Sequence, residues 1–351
     1  MTNRNTLCRM AFLALLLALT SACGSGGSST GDSSSATETG DADMDSGTET
    51  ETETEPDTGG GTSVTAAVGM DVDQFETGAL VAAVTTVSCT LSAGTRTTCY
   101  QLEIAGEPAA RELGPFCPTS IYSDADEGGI WFDGSGDLWD VDGEFITNLA
   151  NIYGDSNWLL YDVASGDVNV TDTQTACEAA ARPNVDPRYQ NHCVQCSLDY
   201  YGGGVTQTIL IPTTPVPLDS PAAIANGDLG IALDGVILAP PAPVQAILGA
   251  YTIAAFDDCG GHVNPVEGYH YHASVGCAQQ AFETDGHAGL MAYALDGYGI
   301  YGMLDSDGSE ATDLDVCRGH SDDLRSYHYH AASAAENMFI GCFAGEQGSI
   351  Q

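Results

Sequence analysis

Residues 257–273 read DDCGGHVNPVEGYHYHA, and residues 315–331 read DVCRGHSDDLRSYHYHA. Both fit the pattern D-x-C-x-G-H-x6-Y-H-Y-H-A, 58 residues apart (257 to 315). Alternating Tyr and His has the period of a β-strand and the aromatic content that strands favour. On a strand, His270 and His272 point to one face and Tyr269 and Tyr271 to the other; on a helix the two imidazoles would diverge. Gly261 permits a tight turn before His262, and Pro265 and Gly268 suit a turn that returns the chain to the strand. His262 then faces His270 and His272. The same spacing sets His320 against His328 and His330.

Three neutral imidazoles with one position left open are the usual protein ligands of a catalytic zinc ion or an open copper site. Copper and zinc are therefore the expected metals. Each copy holds its own ion, or the two strands pair across a pseudo-two-fold axis and share one; the spacing leaves both open. His287 is a seventh candidate ligand. Asp257 and Asp315 occupy equivalent positions and are expected to orient imidazoles from behind. His192 lies outside the pattern and reads as structural. The competing reading is a buried, hydrogen-bonded layer of His and Tyr with no metal at all.

The repetition extends outward. Ala232-Leu233-Asp234-Gly235 returns as Ala294-Leu295-Asp296-Gly297. The C-terminal half thus reads as internally duplicated, with units at about 222–275 and 284–342. Upstream, ALVAAVTTVSCTL (79–91), TTCYQLEIAG (97–106) and TQTILIP (206–212) read as strands. Between them, residues 115–170 mix short apolar pieces with Asp-Gly turns. TQTACEAAARP (173–183) is the one clear short helix, opened by Thr173 or Thr175 and ended by Pro183. The expected fold is mainly β, with few short helices and many ordered loops, stapled by disulfides.

The chain has 12 Cys, and ten remain once Cys8 and Cys23 are set aside with the N-terminal segment. An even number in an exported chain reads as bridges. Each motif has one Cys before its first His and another after its last, which pairs Cys259 with Cys277 and Cys317 with Cys342. Thiolate ligation by Cys259 and Cys317 is the alternative. Cys193 and Cys196 resemble a redox C-x-x-C, but no thioredoxin-like pattern surrounds them, so separate bridges are expected.

The N-terminus carries Arg4 and Arg9, an apolar run from Ala11 to Leu19, and then Leu19-Thr20-Ser21-Ala22-Cys23. That segment resembles the lipobox of bacterial lipoproteins, with Thr20 where Leu is usual. It implies a signal peptide at 1–22, acylation of Cys23 and insertion of the acyl chains into a bilayer. Gly24 follows Cys23, so outer-membrane location, on the periplasmic face or the cell surface, is the expectation. Residues 23–65 include TETETETEPDTGGG (48–61) and read as an acidic tether that buries no apolar area. Residues 66–117 read as an N-terminal β extension and 118–346 as the main domain.

With 49 acidic residues, 8 Arg and no Lys, the chain has a net charge of −41, which disfavours nucleic-acid and anionic-lipid binding. Solubility in a salty medium or attraction of cations accounts for such a balance. The same acidic background is expected to raise the imidazole pKa values. The acidic loops at 133–144 and 305–310 are weak calcium candidates that fit no EF-hand. No G-x-S-x-G elbow, P-loop or dinucleotide fingerprint is present.

The motifs resemble the YHYH family of exported proteins. The resemblance is carried by GIALDGVI (230–237), CGGHVNPVEGYHYHA (259–273), His287 ahead of GLMAYALDGYGIYG (289–302), LDVCRGH (314–320), YHYHA (327–331) and FIGCFAG (339–345). The family commonly has Asn where this chain has Asp234. The resemblance implies no particular activity. Three functions are therefore carried forward: a metal-binding surface lipoprotein, a metal-dependent hydrolase or oxidase, and a metal-free structural or adhesive domain. For the enzyme, Asp296 and Glu283 are the candidate general bases.

Overall fold

Eight short strands carry both motifs: β1 (Gly230–Ala232), β2 (Ile237–Leu238), β3 (Gly261–Asn264), β4 (Gly268–Tyr271), β5 (Leu290–Ala294), β6 (Gly299–Tyr301), β7 (Gly319–Asp322) and β8 (Ser326–His330). They come from a computed structural model that describes residues 69–224 and 227–351. The segment read as a signal peptide, Cys23 and the whole stretch read as a tether lie outside the described residues.

These strands form one sheet in the order β3-β4-β2-β1-β5-β6-β8-β7. Its centre is the antiparallel pair β1–β5, where Ala232 faces Ala292 and Gly230 faces Ala294. The order reads alike from either edge, because the two motifs pair in the same way. In β3–β4, His262 stands opposite His270; in β7–β8, His320 stands opposite His328. Each Y-H-Y-H strand then runs parallel to an inner strand, with Tyr271 beside Leu238 and Tyr329 beside Ile300. The expected return of the chain is therefore a four-residue-a-side hairpin at each edge of the sheet.

The glycine ahead of the first His has a different cause from the one expected. A Cβ on Gly261 would sit 2.4 Å from the Tyr269 ring, and one on Gly319 would sit 2.1 Å from the Tyr327 hydroxyl. The cross-strand tyrosine lies over this position, so only glycine fits.

A second sheet joins strands 85–90, 96–104, 207–212 and 349–350, all antiparallel. The N-terminal extension is thus hydrogen-bonded to strands of the main domain. Leu102, Ile104, Ile209 and Ile211 from this sheet share one buried cluster with Ile231, Ile237 and Ile300 of the first.

A separate apolar cluster forms around Trp131, Phe132 and Phe256. Helix α1 (Gly143–Ile152) packs there through Phe145, Ile146 and Leu149. Its Asp142 accepts from the Phe145 N–H at 2.7 Å, so the Asp-Gly pair read as a turn is a helix cap. Helix α2 (Gln174–Ala180) starts on Thr173 as expected, and α3 (Val244–Gly249) comes after a proline-rich stretch.

Five disulfides hold the described residues: Cys89–Cys99, Cys117–Cys193, Cys177–Cys196, Cys259–Cys277 and Cys317–Cys342. Both motif bridges are as expected, and the C-x-x-C cysteines belong to different bridges. With no free thiol at either motif, cysteine ligation is ruled out there. In the loop-entropy account each motif bridge, spanning 18 or 25 residues, contributes about 3 kcal/mol. No helix of the described residues is long and apolar enough to cross a membrane.

Candidate metal centres

The hairpin geometry gathers the histidines into two groups, His262/His270/His272 and His287/His320/His328/His330. They sit at opposite edges of the eight-stranded sheet. Five strand spacings separate β4 from β8, or about 24 Å at the usual inter-strand distance. A single site shared by the two motifs is therefore overturned. His287, from the loop before β5, completes the second group.

The ring nitrogens decide what these groups can do. In the first group the Nδ1 of His270 meets the Gly268 carbonyl at 3.1 Å, and the Nδ1 of His272 meets the Pro240 carbonyl at 2.8 Å. A carbonyl only accepts, so each Nδ1 carries the ring proton and each Nε2 is a bare lone pair. Those two Nε2 atoms lie 3.1 Å apart. In the second group the same holds four times. His287, His328 and His330 donate from Nδ1 to the carbonyls of Ala288, Ser326 and Gly302, each at 2.9 Å. His320 donates to the Asp313 carboxylate at 2.8 Å.

The four Nε2 atoms then converge, with spacings of 3.0 Å (His287–His328), 3.0 Å (His320–His328) and 3.2 Å (His320–His330). A tetrahedral ion with metal–nitrogen bonds of about 2.0–2.1 Å sets its nitrogens about 3.3 Å apart. Facing lone pairs with no proton between them repel, and a cation removes the repulsion. The second group fits a metal ion by donor type, tautomer and spacing, and the first fits by donor type and by the tautomers of His270 and His272.

Electrostatics keeps the rings in the metal-binding state. Burial, helped by the other two imidazoles, holds His262 well below the ordinary histidine value. Burial lowers His270 to about 4 and His272 to about 3. It lowers His328 and His330 to about 4, with the neighbouring imidazoles adding to the effect. The expectation that the acidic background would raise these values is wrong at both sites, because desolvation outweighs distant carboxylates.

Asp257 and Asp315 do not orient imidazoles. Both lie on the tyrosine face. Tyr269 donates to Asp257 at 2.8 Å, and Tyr327 donates to Asp315 at 2.9 Å. The inner tyrosines do the same with the A-L-D-G aspartates: Tyr271 donates to Asp234 at 2.7 Å and Tyr329 to Asp296 at 2.6 Å. Asp234 thus has a structural hydroxyl partner. Asp296, held up at about 6 by burial, is turned away from any metal, so it cannot serve as a base at either site. Glu283 pairs with Arg325. The acidic loops offered to calcium contribute to neither ligand group.

Two residues escaped the sequence reading. Arg111 reaches between the first pair of tyrosines, donating to the Tyr269 and Tyr271 hydroxyls at 2.8 and 2.6 Å and pairing with Asp257 at 3.2 Å. Nothing in a lone Arg 158 residues before Tyr269 signals that contact. Glu267 lies 3.5 Å from the His270 Nδ1 and accepts from Asn264 Nδ2 at 2.7 Å. Its signal was available, since the repeat aligns it with Arg325.

The surroundings of the two groups differ. The first lines a cavity of about 260 Å³ with Phe116, Ala239, Pro240, Ile247 and Val263. Over the second, Arg325 is buried and binds Glu283, Asp285 and Asp322 together.

Compared with known proteins, residues 208–313 match a family described as YHYH protein. The matched stretch holds the first motif and His287 and stops short of the second motif. No curated protein and no solved structure matches the chain.

Proposed function

The chain carries a YHYH domain, and from that premise we propose that it is an exported metal-binding lipoprotein holding two ions of copper or zinc, one per Y-H-Y-H hairpin. The observation that supports this reading is the tautomer pattern. Six Nδ1 atoms donate to oxygen acceptors, so two Nε2 lone pairs in the first group and four in the second are turned toward one another. A metal-free core layer would pair donors with acceptors instead. The near-matched hairpins favour a duplicated origin for the two units.

Copper binds such nitrogen sites more tightly, and zinc is the commoner ion of hydrolytic centres. Metal analysis of the full-length chain, purified without a His tag and exposed to both ions at neutral pH, tests the proposal. Two ions per chain are expected. His270→Ala and His328→Ala should each remove one of them. Binding no higher than in a control protein would return the histidines to core packing.

The lipid anchor belongs to the same proposal and rests on the lipobox-like LTSAC. Cys23→Ser should move the protein from the membrane to the soluble fraction; unchanged membrane association and lipid labelling would reject the anchor. A metal-dependent hydrolase or oxidase is a second reading. One observation favours it: the three-imidazole group borders a cavity, as an ion with a free position would need.

A further inference from the structure

We infer that the ion at the first hairpin takes its fourth ligand from the cavity, and that this ligand is a small apolar molecule with a neutral nitrogen or oxygen donor that keeps a proton for Glu267. The inference rests on the two-metal reading and adds a ligand class to one of its two sites.

Three imidazoles leave a tetrahedral ion one position short. His262, His270 and His272 all line the cavity, so that position is reached from it. At about 260 Å³ the cavity falls at the small end of ligand sites. Its walls are aliphatic and aromatic, with Val194, Ala246 and Ile247 among them, so the body of the ligand is apolar.

The head group is set by two neighbours of His270. Glu267 is held by the Asn264 amide, and that amide nitrogen is itself 3.4 Å from the His270 Nε2. The Asn264 Oδ1 is engaged by the backbone N–H groups of Val266 and Glu267, both at 2.8 Å, so the pair is fixed in place. Glu267 lines the same cavity, 3.5 Å from the His270 Nδ1, so its carboxylate repels an anionic ligand there and accepts from an N–H or O–H on a neutral one. The net charge of −41 works in the same direction. Arg182, an exposed residue, is the other charged group lining the cavity among the described residues.

The second hairpin serves as an internal control. His287 supplies the fourth nitrogen, and Arg325 stands where the repeat has Glu267. No ligand exchange is expected there.

Cobalt can replace zinc and reports its ligands through visible absorption. The full-length chain, loaded with cobalt in detergent, is titrated with imidazole, 4-phenylimidazole and 3-phenylpropanoate. The 4-phenylimidazole should shift the spectrum of one of two bound cobalt ions, and bind at least about tenfold tighter than imidazole because its ring is buried. The 3-phenylpropanoate should bind more weakly than either. Ala246→Trp, which fills the cavity, should erase the advantage of 4-phenylimidazole while both cobalt ions remain. His270→Ala should lose the response and keep one ion. Two bound cobalt ions with no spectral response overturn this inference alone, as a site already closed by Glu267 would. So does tighter binding of 3-phenylpropanoate. A chain that binds no cobalt overturns the two-metal reading and this inference with it.

Discussion

The hairpin at 261–271 and the hairpin at 319–330 share register, glycine, tyrosine–aspartate pairs and disulfide, yet they end in different sites. The first sets three imidazoles against an apolar cavity, with Glu267 and Asn264 beside them. The second sets four imidazoles beneath Arg325 and its three carboxylates. A common backbone fixes where His-x-His points, and two positions decide the rest. One is 267/325, Glu in one hairpin and Arg in the other. The other is His287, whose equivalent by the A-L-D-G offset of 62 residues is Ala225. On the two-metal proposal, the arrangement would divide the work between a saturated ion that holds an edge of the sheet and an unsaturated one that meets a ligand.

The tyrosine faces differ as well. Around Tyr269 and Tyr271 the buried carboxylates Asp234 and Asp257 are offset by Arg111. Around Tyr329 the same task falls to backbone, with Gly345 N–H donating to Asp296 at 3.0 Å and Ala344 N–H donating to the Tyr329 hydroxyl at 2.7 Å.

The largest expected effect separates the two ions. If the four-imidazole ion is structural, His328→Ala loses stabilisation of about 4 kcal/mol at a metal concentration a thousandfold above Kd, or about 8 °C in Tm. His270→Ala should cost markedly less, since its ion has one protein ligand fewer. Thermal unfolding of both variants with saturating metal checks this, and equal losses would erase the distinction.

Next comes Arg111→Met. It leaves two buried carboxylates without their cation and should cost about 3 kcal/mol in denaturant unfolding. The second hairpin has no such residue, so metal binding at His328 should be unaffected. A loss under about 1 kcal/mol would mean the tyrosines alone satisfy Asp234 and Asp257.

Tyr271→Phe and Tyr329→Phe each remove one hydroxyl from a buried carboxylate, at about 1–3 kcal/mol. Both should retain two ions, since the tyrosines face away from the metals. Loss of metal in either variant would show that the two faces are coupled.

The smallest effect is on pH. Burial lowers the ligand imidazoles to about 4 (His270, His328, His330) and about 3 (His272). Lowered values mean neutral rings, so protons compete for the lone pairs only in stronger acid. Metal release on acidification should have its midpoint below about pH 5, not near the ordinary imidazole value of about 6.5. A midpoint near 6.5 would indicate solvent-exposed ligands.

Much of this was legible in the chain. Period-two alternation gave the His face and the Tyr face, the six-residue spacer gave the cross-strand pair His262–His270, and cysteine position gave both motif bridges. The features that stayed hidden are carried by groups without a sequence signature. The atoms that fix the imidazoles are mostly backbone carbonyls, at Gly268, Pro240, Ala288, Ser326 and Gly302, and any residue supplies a carbonyl. Asp257 and Asp315 were misread because equivalent position in the repeat says nothing about which face a loop residue turns to. Helix α1 was missed because Asp-Gly serves both as a turn and as a cap with its first helical residue. The separation of the sites depends on sheet order, which two alternating strands leave undetermined.

Anomalous scattering from crystals grown with zinc or copper tests the central claim most directly. Two peaks about 24 Å apart are expected by strand spacing. One should be bound by His262, His270 and His272, with a non-protein fourth ligand on the cavity side. The other should be bound by His287, His320, His328 and His330 alone. A single peak joining both hairpins, or crystals saturated with metal that show no peak at either, would contradict it.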